Sequence, residues 1–230
     1  MRRTKFENNK IYHIYNRGIE KRDLFIEEED YLRFIHDLYE FNDVEPAGRF
    51  SEGKLSEAKP PKVERKMVVE IVCFCLMPNH FHLMLKQLSE GSLSFFMHKL
   101  GTGYSMYFNE KYERMGSLFQ GTYKAVSVED DIHFAHLSRY IHLNPVDLVE
   151  PEWKKKGIKK EKKINDFLCS YRWSSHLDYM GIKNFPSVIN KSLIMNFFGE
   201  KAEYRKFIED WTTDDYKRIE KSVLEERKRK

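Results

Sequence analysis

Residues 67–86, MVVEIVCFCLMPNHFHLMLK, contain two β-prone runs that are separated by a short break. The first run, 67–77, is rich in β-branched and apolar residues, which predicts a buried strand. Pro78 and Asn79 interrupt the pattern, and residues 80–86 then predict a second strand. The stretch therefore predicts two consecutive strands joined by a tight turn, and the rest of the chain can be interpreted around them.

The second predicted strand has two chemically different faces. Because side chains alternate along a strand, His80 and His82 lie on one face. Phe81, Leu83 and Leu85 point to the other face, where they can pack against helices. Two neutral imidazoles on one face suit a divalent metal ion, although a His-x-His pair on its own is more often two hydrogen-bonded, partly buried histidines.

Cysteines in the first strand raise the alternative of a structural zinc site. Cys73 and Cys75 precede the histidine pair, and thiolates combined with imidazoles are a common zinc ligand set. These cysteines lie within an apolar run, however, where cysteine behaves as a small hydrophobic residue. With Cys169 there are three cysteines, which cannot all pair and which suit a reducing cytosol.

Hydrophobic periodicity predicts the elements on either side of these strands. We predict strands at 11–17 and 122–128, and helices at 28–42, 92–112 and 129–143. Ser92 is the expected N-cap of the second helix. The order strand, helix, strand, strand, helix, strand, helix predicts an α+β fold with helices packed on an antiparallel-rich sheet.

The chain of 230 residues is long enough for one domain with an appendage or for two small domains. Pro, Gly and charged residues predict a loop insertion at about 44–66. The segments that follow Pro145 are a lysine run at 154–163, an aromatic segment at 171–181 and a charged helical tail at about 191–230. We therefore predict a core over 1–150 and an extension over 151–230.

Charge and aromatic content give a weak indication of a nucleic-acid partner. The net charge is only +4, but lysines are concentrated in KKKGIKKEKK (154–163) and the sequence ends in RKRK. Basic residues interleaved with aromatic residues are typical of single-strand binding surfaces, since bases stack and phosphates need cations. No run of about 18 uncharged apolar residues occurs, so we expect no membrane span.

The helix predicted at 129–143 carries a second candidate group. Tyr140 and Asn144 are four positions apart and share a helical face. Most such tyrosines are core residues, and a phenol with a pKa near 10 needs a strongly polarised target to act as a nucleophile. A nearby divalent metal could polarise a phosphate, with Asn144 as its third ligand, although Pro145 biases Asn144 away from helical geometry. Other residues of this helix that could replace Asn144 or carry protons are His133, His136 and His142.

Several segments together resemble one protein family. They are YHIYNRG (12–18), LMPNHFHLML (76–85), GSLFQGTYKAV (116–126), SRYIHLNPV (138–146) and YRWSSHLDYMG (171–181). With these segments in this order, the chain resembles the REP-associated tyrosine transposases, which are single-tyrosine members of the HUH nuclease superfamily related to IS200-like transposases. The resemblance implies a ferredoxin-like (RRM-like) antiparallel sheet with helices packed on it, followed by a C-terminal helical extension.

The resemblance also implies a chemistry. His80 and His82 would be metal ligands, Asn144 the third ligand, and Tyr140 the nucleophile that cuts single-stranded DNA. The products would be a 5′-phosphotyrosine link and a free 3′-OH, and a second 3′-OH could rejoin the strand. Relatives act beside hairpin-forming repetitive palindromes, which implies a bacterial cytoplasmic protein associated with the nucleoid. The metal would be Mn²⁺ on affinity grounds or Mg²⁺ on abundance.

Contacts to DNA are expected at residues whose surface-charge or core roles are equally plausible. These candidates are Arg17, Lys86, Lys124, Tyr171, Arg172 and Trp173. The sequence departs from the family pattern at Thr122, and at Asp147 and Leu148, where basic residues are common. Two other functions stay open: a catalytically idle single-strand-binding module on the same fold, and a phosphodiesterase in which water attacks. The sequence does not decide between a monomer and a homodimer.

Overall fold

The computed structural model describes residues 5–45, 65–159 and 161–211. Within these ranges the strands are β1 (Ile11–Arg17), β2 (Val69–Met77), β3 (His80–Gln87) and β4 (Lys124–Ser127). The helices are α1 (Glu28–Glu40), α2 (Ser92–Lys111), α3 (Asp131–Leu143), α4 (Trp153–Lys156), α5 (Glu161–Ser170), α6 (His176–Tyr179), α7 (Ser192–Phe198) and α8 (Lys201–Glu209), and short 3-10 helices span Ile19–Lys21 and Asn144–Leu148. The predicted order of the first seven strands and α-helices is confirmed.

The strands form one four-stranded antiparallel sheet in the order β2-β3-β1-β4. The β2–β3 hairpin is the pair of strands that the central sequence stretch predicts. Helix α1 connects β1 to β2 and helix α2 connects β3 to β4, so each helix crosses over a neighbouring strand. This topology is that of the ferredoxin-like fold, and the predicted α+β class is confirmed.

Helices α1 and α2 cover the sheet face on which Phe81 lies. The Phe81 ring is 5.1 Å from Phe34 of α1, which in turn is 4.9 Å from Tyr104 of α2. All three rings are buried. Burying such aromatic side chains is the main favourable contribution to this layer, at roughly 25 cal/mol for each Å² of apolar surface removed from water.

The opposite face of the sheet is covered by α3 and by parts of the extension. His142 of α3 lies 2.8 Å from the Tyr204 hydroxyl of α8. Arg139 of α3 donates to the carbonyl oxygens of Phe207 at 2.8 Å and Asp210 at 3.3 Å, and its guanidinium lies 4.0 Å from the Phe207 ring centre. The last turn of α8 is therefore attached directly to α3.

The free edge of β2 is covered by a short segment, Trp173–Ser175. Leu76 N–H donates to the Trp173 carbonyl at 2.9 Å, and Ser175 N–H donates to the Phe74 carbonyl at 3.0 Å. Phe74 N–H donates in return to Ser175 Oγ at 2.9 Å. The segment thus satisfies edge groups of β2 that would otherwise be open to pairing with another chain.

The details of two helix ends differ from prediction. The N-cap of α2 is Gly91, with φ of 73°, and Ser92 is the first residue of the helix, so the predicted capping role of Ser92 is wrong. Asn144 has φ of −54° and ψ of −37°, so it keeps helical geometry despite Pro145. The chain can do this because it continues as a 3-10 helix, whose first turn tolerates proline.

Two predictions extend beyond the part of the chain that the structure covers. Of the loop predicted at 44–66, residues 46–64 lie outside the described residues, as do residues 212–230 of the predicted helical tail with its final RKRK. Over the ranges that are described, no helix has the length and apolar character needed to cross a membrane.

Candidate functional site

Strand β3 and the end of helix α3 bring four polar side chains together. The rings of His80 and His82 are 5.1 Å apart and nearly perpendicular, at 88°. His80 Nε2 lies 3.4 Å from Asn144 Oδ1, and the His82 ring is 5.4 Å from the Tyr140 ring. Because Asn144 stays helical, it shares a face with Tyr140 and reaches the histidine pair.

The protonation of His80 is set by its neighbour Asn79. His80 Nδ1 lies 2.7 Å from Asn79 Oδ1, and an amide oxygen only accepts, so Nδ1 carries the proton. The Asn79 amide is oriented by its nitrogen, which donates to the Lys21 carbonyl at 3.3 Å. Burial lowers the pKa of His80 to about 4, so the imidazole is neutral at pH 7 and its Nε2 has a lone pair.

That lone pair of His80 faces a second acceptor, the Oδ1 of Asn144. The amide nitrogen of Asn144 is directed instead at the Tyr140 carbonyl, at 3.5 Å. Two acceptors that face each other repel, and a cation bound by both removes that repulsion. His80, His82 and Asn144 are thus a nitrogen and oxygen donor set that fits a divalent ion. Within the described ranges no cluster of three or more His, Cys, Asp or Glu side chains could hold a metal, so the amide is needed to complete this set.

A third histidine, His13 of β1, lies behind His82 and was missed by the sequence analysis. His13 Nε2 is 2.8 Å from His82 Nδ1, and both rings are buried. Burial lowers the pKa of His13 to about 3 and also depresses the pKa of His82, so both rings are neutral at pH 7. When His82 Nδ1 donates to His13, the His82 Nε2 lone pair is available to a metal.

Tyr140 is a half-buried phenol at the margin of the cluster. Burial raises the pKa of Tyr140 to about 12, and a hydrogen bond with Asn144 opposes this rise. The ammonium of Lys154 lies 5.4 Å from the centre of the Tyr140 ring and forms an ion pair with Asp147. Lys154 is the second residue that the sequence analysis missed, because nothing distinguishes it from the rest of its lysine run.

The other histidines of α3 are engaged elsewhere. His142 is buried, with Nδ1 2.8 Å from the Tyr204 hydroxyl and Nε2 2.8 Å from Ser175 Oγ. His136 Nδ1 lies 2.9 Å from the guanidinium of Arg139, and His133 is in the first turn of the helix. Of the ligand candidates in this region, Asn144 is the one that the structure brings to His80.

Two of the predicted DNA contacts, Arg17 and Lys124, lie close to the histidine pair on the sheet face that carries it. Arg17 is exposed, pairs in register with His80, and donates through Nε to the Gln120 side chain. Lys124 is exposed on β4 opposite Tyr15, which itself pairs with His82. Both cations are therefore open to solvent near the candidate site.

The remaining candidates lie farther from the cluster. Lys86 is near the other end of β3, 3.5 Å from Glu70. Tyr171 is buried and donates its hydroxyl to the Leu76 carbonyl at 2.6 Å, while the Trp173 ring stacks on Tyr31 at 4.5 Å. Arg172 is exposed, with its guanidinium 5.0 Å from the Trp173 ring. The aromatic pair thus packs at the β2 edge.

The cysteines of β2 are part of the core. Cys73 and Cys75 are fully buried, and burial raises the pKa of both thiols. Burial keeps them protonated, whereas a zinc ligand is a thiolate. Their environment matches the small hydrophobic role that their apolar sequence context predicts.

Comparison with known proteins agrees with this geometry. Residues 55–144 match the family model described as "Transposase IS200 like". The resemblance to IS200-like transposases is confirmed. The matched IS200-like segment contains the histidine pair and ends at Asn144. No curated protein matches the chain in sequence.

A similarity to a solved structure extends over most of the chain. That structure is a REP-associated tyrosine transposase bound to a REP hairpin, with 14% sequence identity and a TM-score of 0.51. The similarity covers 83% of this chain and 90% of that chain. At this identity it shows that the two share a fold, and the IS200-like match identifies the segment that carries the candidate site.

Proposed function

We propose that this protein is a metal-dependent endonuclease and strand transferase for single-stranded DNA, with Tyr140 as its nucleophile. The observation that carries the proposal is the position of this phenol beside two acceptors, His80 Nε2 and Asn144 Oδ1, that face each other at 3.4 Å. The IS200-like match over residues 55–144 supports the same class of reaction.

In the proposed reaction, Tyr140 Oη attacks the phosphorus of a DNA phosphodiester. The Oη–P bond forms and the P–O3′ bond breaks, while the phenol proton passes to water and the departing 3′ oxygen takes up a proton. The product is a 5′-phosphotyrosine link with a free 3′-OH. A second 3′-OH attacks the same phosphorus, restores Tyr140 and rejoins the strand. Each step exchanges one phosphoester for another, so no ATP is consumed.

His80, His82 and Asn144 would hold the metal, either Mg²⁺ or Mn²⁺. When bound, this ion supplies Lewis-acid stabilisation of the negative charge on the phosphate oxygens. Asn79 contacts Nδ1 of His80, and His13 contacts Nδ1 of His82. With each Nδ1 engaged in a hydrogen bond, the Nε2 atom of each imidazole would bind the metal. Two nitrogen ligands favour Mn²⁺, because Mg²⁺ prefers oxygen.

Hairpin-forming single-stranded DNA is the proposed substrate. The structural neighbour is described as bound to a REP hairpin, and this chain shares its fold. Arg17 and Lys124 are exposed cations on the face that carries the histidine pair, where they can bind phosphates of the DNA strand. A protein with this substrate would work at the bacterial nucleoid in the cytoplasm.

The decisive experiment looks for a covalent protein–DNA adduct. Because the link is to the 5′ phosphate of the downstream fragment, the hairpin oligonucleotide is labelled at its 3′ end. Its sequence is taken from inverted repeats that flank the gene, and Mn²⁺ or Mg²⁺ is added before a denaturing protein gel. We expect a labelled band with the wild type and with Tyr39→Phe, a half-buried tyrosine on α1, and none with Tyr140→Phe or His82→Ala.

Two results would contradict the proposal. A free 5′-phosphate product that persists in Tyr140→Phe would indicate a phosphodiesterase in which water attacks. Binding of the same hairpin with neither cleavage nor adduct, in either metal, would indicate an idle single-strand-binding module.

A further inference from the structure

The first lysine of the run at 154–163 differs from the lysines that follow it. The Lys154 side chain is 16% exposed, whereas the side chain of Lys156 is 56% exposed. Its ammonium lies 5.4 Å from the Tyr140 ring centre. Helix α4 therefore directs one lysine of the extension into the candidate active site and leaves its neighbours in solvent.

Lys154 is held in this position by a carboxylate with two partners. Asp147 Oδ2 pairs with the Lys154 ammonium, and Asp147 Oδ1 accepts a hydrogen bond of 2.7 Å from the indole of Trp153. The Trp153 side chain is fully buried, which fixes its indole N–H. The carboxylate is thus anchored on one side by a buried residue and orients the lysine with its other oxygen.

The charge of Lys154 also acts on the proposed metal ligands. The Lys154 ammonium is close enough to act electrostatically on the rings of His80 and His82, and the Asp147 carboxylate acts with the opposite sign on His80. A fixed cation next to imidazoles weakens the binding of a metal ion to them. The Lys154 ammonium therefore opposes the binding of a metal ion. A phosphate that binds both the ammonium and the metal ion would offset this repulsion.

We propose that Lys154 binds the non-bridging oxygens of the scissile phosphate, with Asp147 as the residue that positions it. The inference rests on the proposed function, since the phosphate is the group that Tyr140 would attack. Negative charge gathers on these oxygens as the phenol oxygen approaches, and a preorganised ammonium stabilises that charge. Lys154 is thus a catalytic residue contributed by the extension.

The first test measures binding without chemistry, in a Tyr140→Phe background. The probe is a short fluorescein-labelled oligothymidylate, whose affinity is followed by anisotropy across a salt series with Mn²⁺ present. Lys154→Gln should weaken binding and reduce the slope of log K against log salt by about 0.7, the value for one phosphate contact on a single strand. Lys155→Gln, which removes the same charge from the exposed side of α4, should leave the slope unchanged.

The second test measures Mn²⁺ affinity by calorimetry in the absence of DNA. The comparison is made in an Asp147→Asn background, because Lys154→Gln alone would leave the Asp147 carboxylate unpaired and able to attract Mn²⁺. In that background Lys154→Gln should raise the affinity for Mn²⁺, because the repelling ammonium is gone, and Lys155→Gln should not. A lysine that binds phosphate should give effects of opposite sign, a lower affinity for DNA and a higher affinity for Mn²⁺. A lysine that only supports the fold should not. The double variant Asp147→Asn/Lys154→Gln removes both charges of the ion pair, so it also replaces Lys154→Gln in the DNA-binding test if that variant does not fold.

The third test measures chemistry in the wild-type background with the 3′-labelled hairpin. At saturating DNA, Lys154→Gln should lower the rate of adduct formation by about a hundredfold, and Lys154→Arg should restore part of it. Equal DNA affinity and equal Mn²⁺ affinity in Lys154→Gln and Lys155→Gln would overturn the inference. If the wild type forms no adduct, the proposed function fails, while the two binding tests still decide the role of Lys154.

Discussion

At the scale of single residues, the contact between His13 and His82 determines which ring nitrogen of His82 has a lone pair. In a neutral imidazole one ring nitrogen carries a proton and the other carries a lone pair that can bind a metal. A hydrogen-bond acceptor beside one nitrogen keeps the proton there and leaves the lone pair on the other nitrogen. His13 lies 2.8 Å from His82 Nδ1 and both are buried, so no water competes for this hydrogen bond. The lone pair of His82 is therefore on Nε2 before any ligand binds.

Replacing His13 should therefore weaken metal binding without removing a ligand. We expect His13→Leu to lower Mn²⁺ affinity by roughly 10–100-fold, the usual cost of losing a group that orients a ligand. His13→Gln should recover part of the loss, because its amide oxygen can accept from His82. Calorimetry with Mn²⁺ measures both, with His98→Leu at an exposed position of α2 as the control. An unchanged affinity in a folded His13→Leu protein would contradict this role.

The sequence analysis could propose some residues of the site and not others, for a physical reason. His80 and His82, like Tyr140 and Asn144, are related by the local periods of a strand and a helix, which fix their relative directions. His13 and His82 are 69 positions apart, and only the register of β1 against β3 brings them together. Lys154 reaches Tyr140 because of the course of the chain after α3, which no local pattern encodes.

At the scale of elements, the extension stabilises the core through hydrogen bonds at the edge of β2. Ser175 Oγ accepts from Phe74 N–H at 2.9 Å and lies 2.8 Å from His142 Nε2. All of these atoms are in residues that are buried. One hydroxyl therefore links strand β2, helix α3 and the segment that precedes α6.

Ser175→Ala should destabilise the protein by about 1–3 kcal/mol, because it leaves buried polar groups of Phe74 and His142 without their partner. Ser170→Ala is the matched control, since Ser170 is exposed and donates only to the Phe167 carbonyl in its own helix. Urea denaturation of both variants at neutral pH measures the difference. Equal free energies of unfolding would mean that water or another group replaces the hydroxyl.

Most elements could be predicted because they carry a strong hydrophobic period, as β3 and α3 do. The Trp173–Ser175 pairing could not, because it is an isolated bridge of backbone groups without a repeating pattern. The helical geometry of Asn144 was left open by the sequence, because only the 3-10 helix that follows outweighs the general bias before proline. A role for Tyr171, Arg172 and Trp173 in DNA binding stays a prediction.

At the scale of the whole molecule, several histidines are buried in neutral form. Burial lowers the pKa of His13 to about 3 and the pKa of His176 to about 4, and it also depresses the pKa of His142. In the unfolded chain each has a pKa near 6.5. Between those values the unfolded state binds protons that the folded state does not, so stability must fall as the pH falls.

The free energy of unfolding should therefore be at its full value above about pH 6.5 and should decrease down to about pH 3, the pKa of buried His13. Each unit of pKa difference corresponds to about 1.4 kcal/mol per histidine once the range has been crossed. Urea denaturation at intervals of pH measures the curve. His176→Leu should flatten it, since His176 Nδ1 is buried without a hydrogen-bond partner, and the exposed His98→Leu should not. Parallel curves for His176→Leu and the wild type would rule out this source of acid sensitivity.

Arg139, the residue directly before Tyr140, has its guanidinium among the carbonyl groups that end α8. A design that places α3 in another protein must therefore include the end of α8 as well, or provide other hydrogen-bond acceptors for the buried Arg139 guanidinium. For the same reason, replacing the C-terminal extension by one that lacks these carbonyl acceptors should disturb α3 at the position next to Tyr140. The proposed nucleophile and the end of α8 are therefore coupled through a single buried side chain.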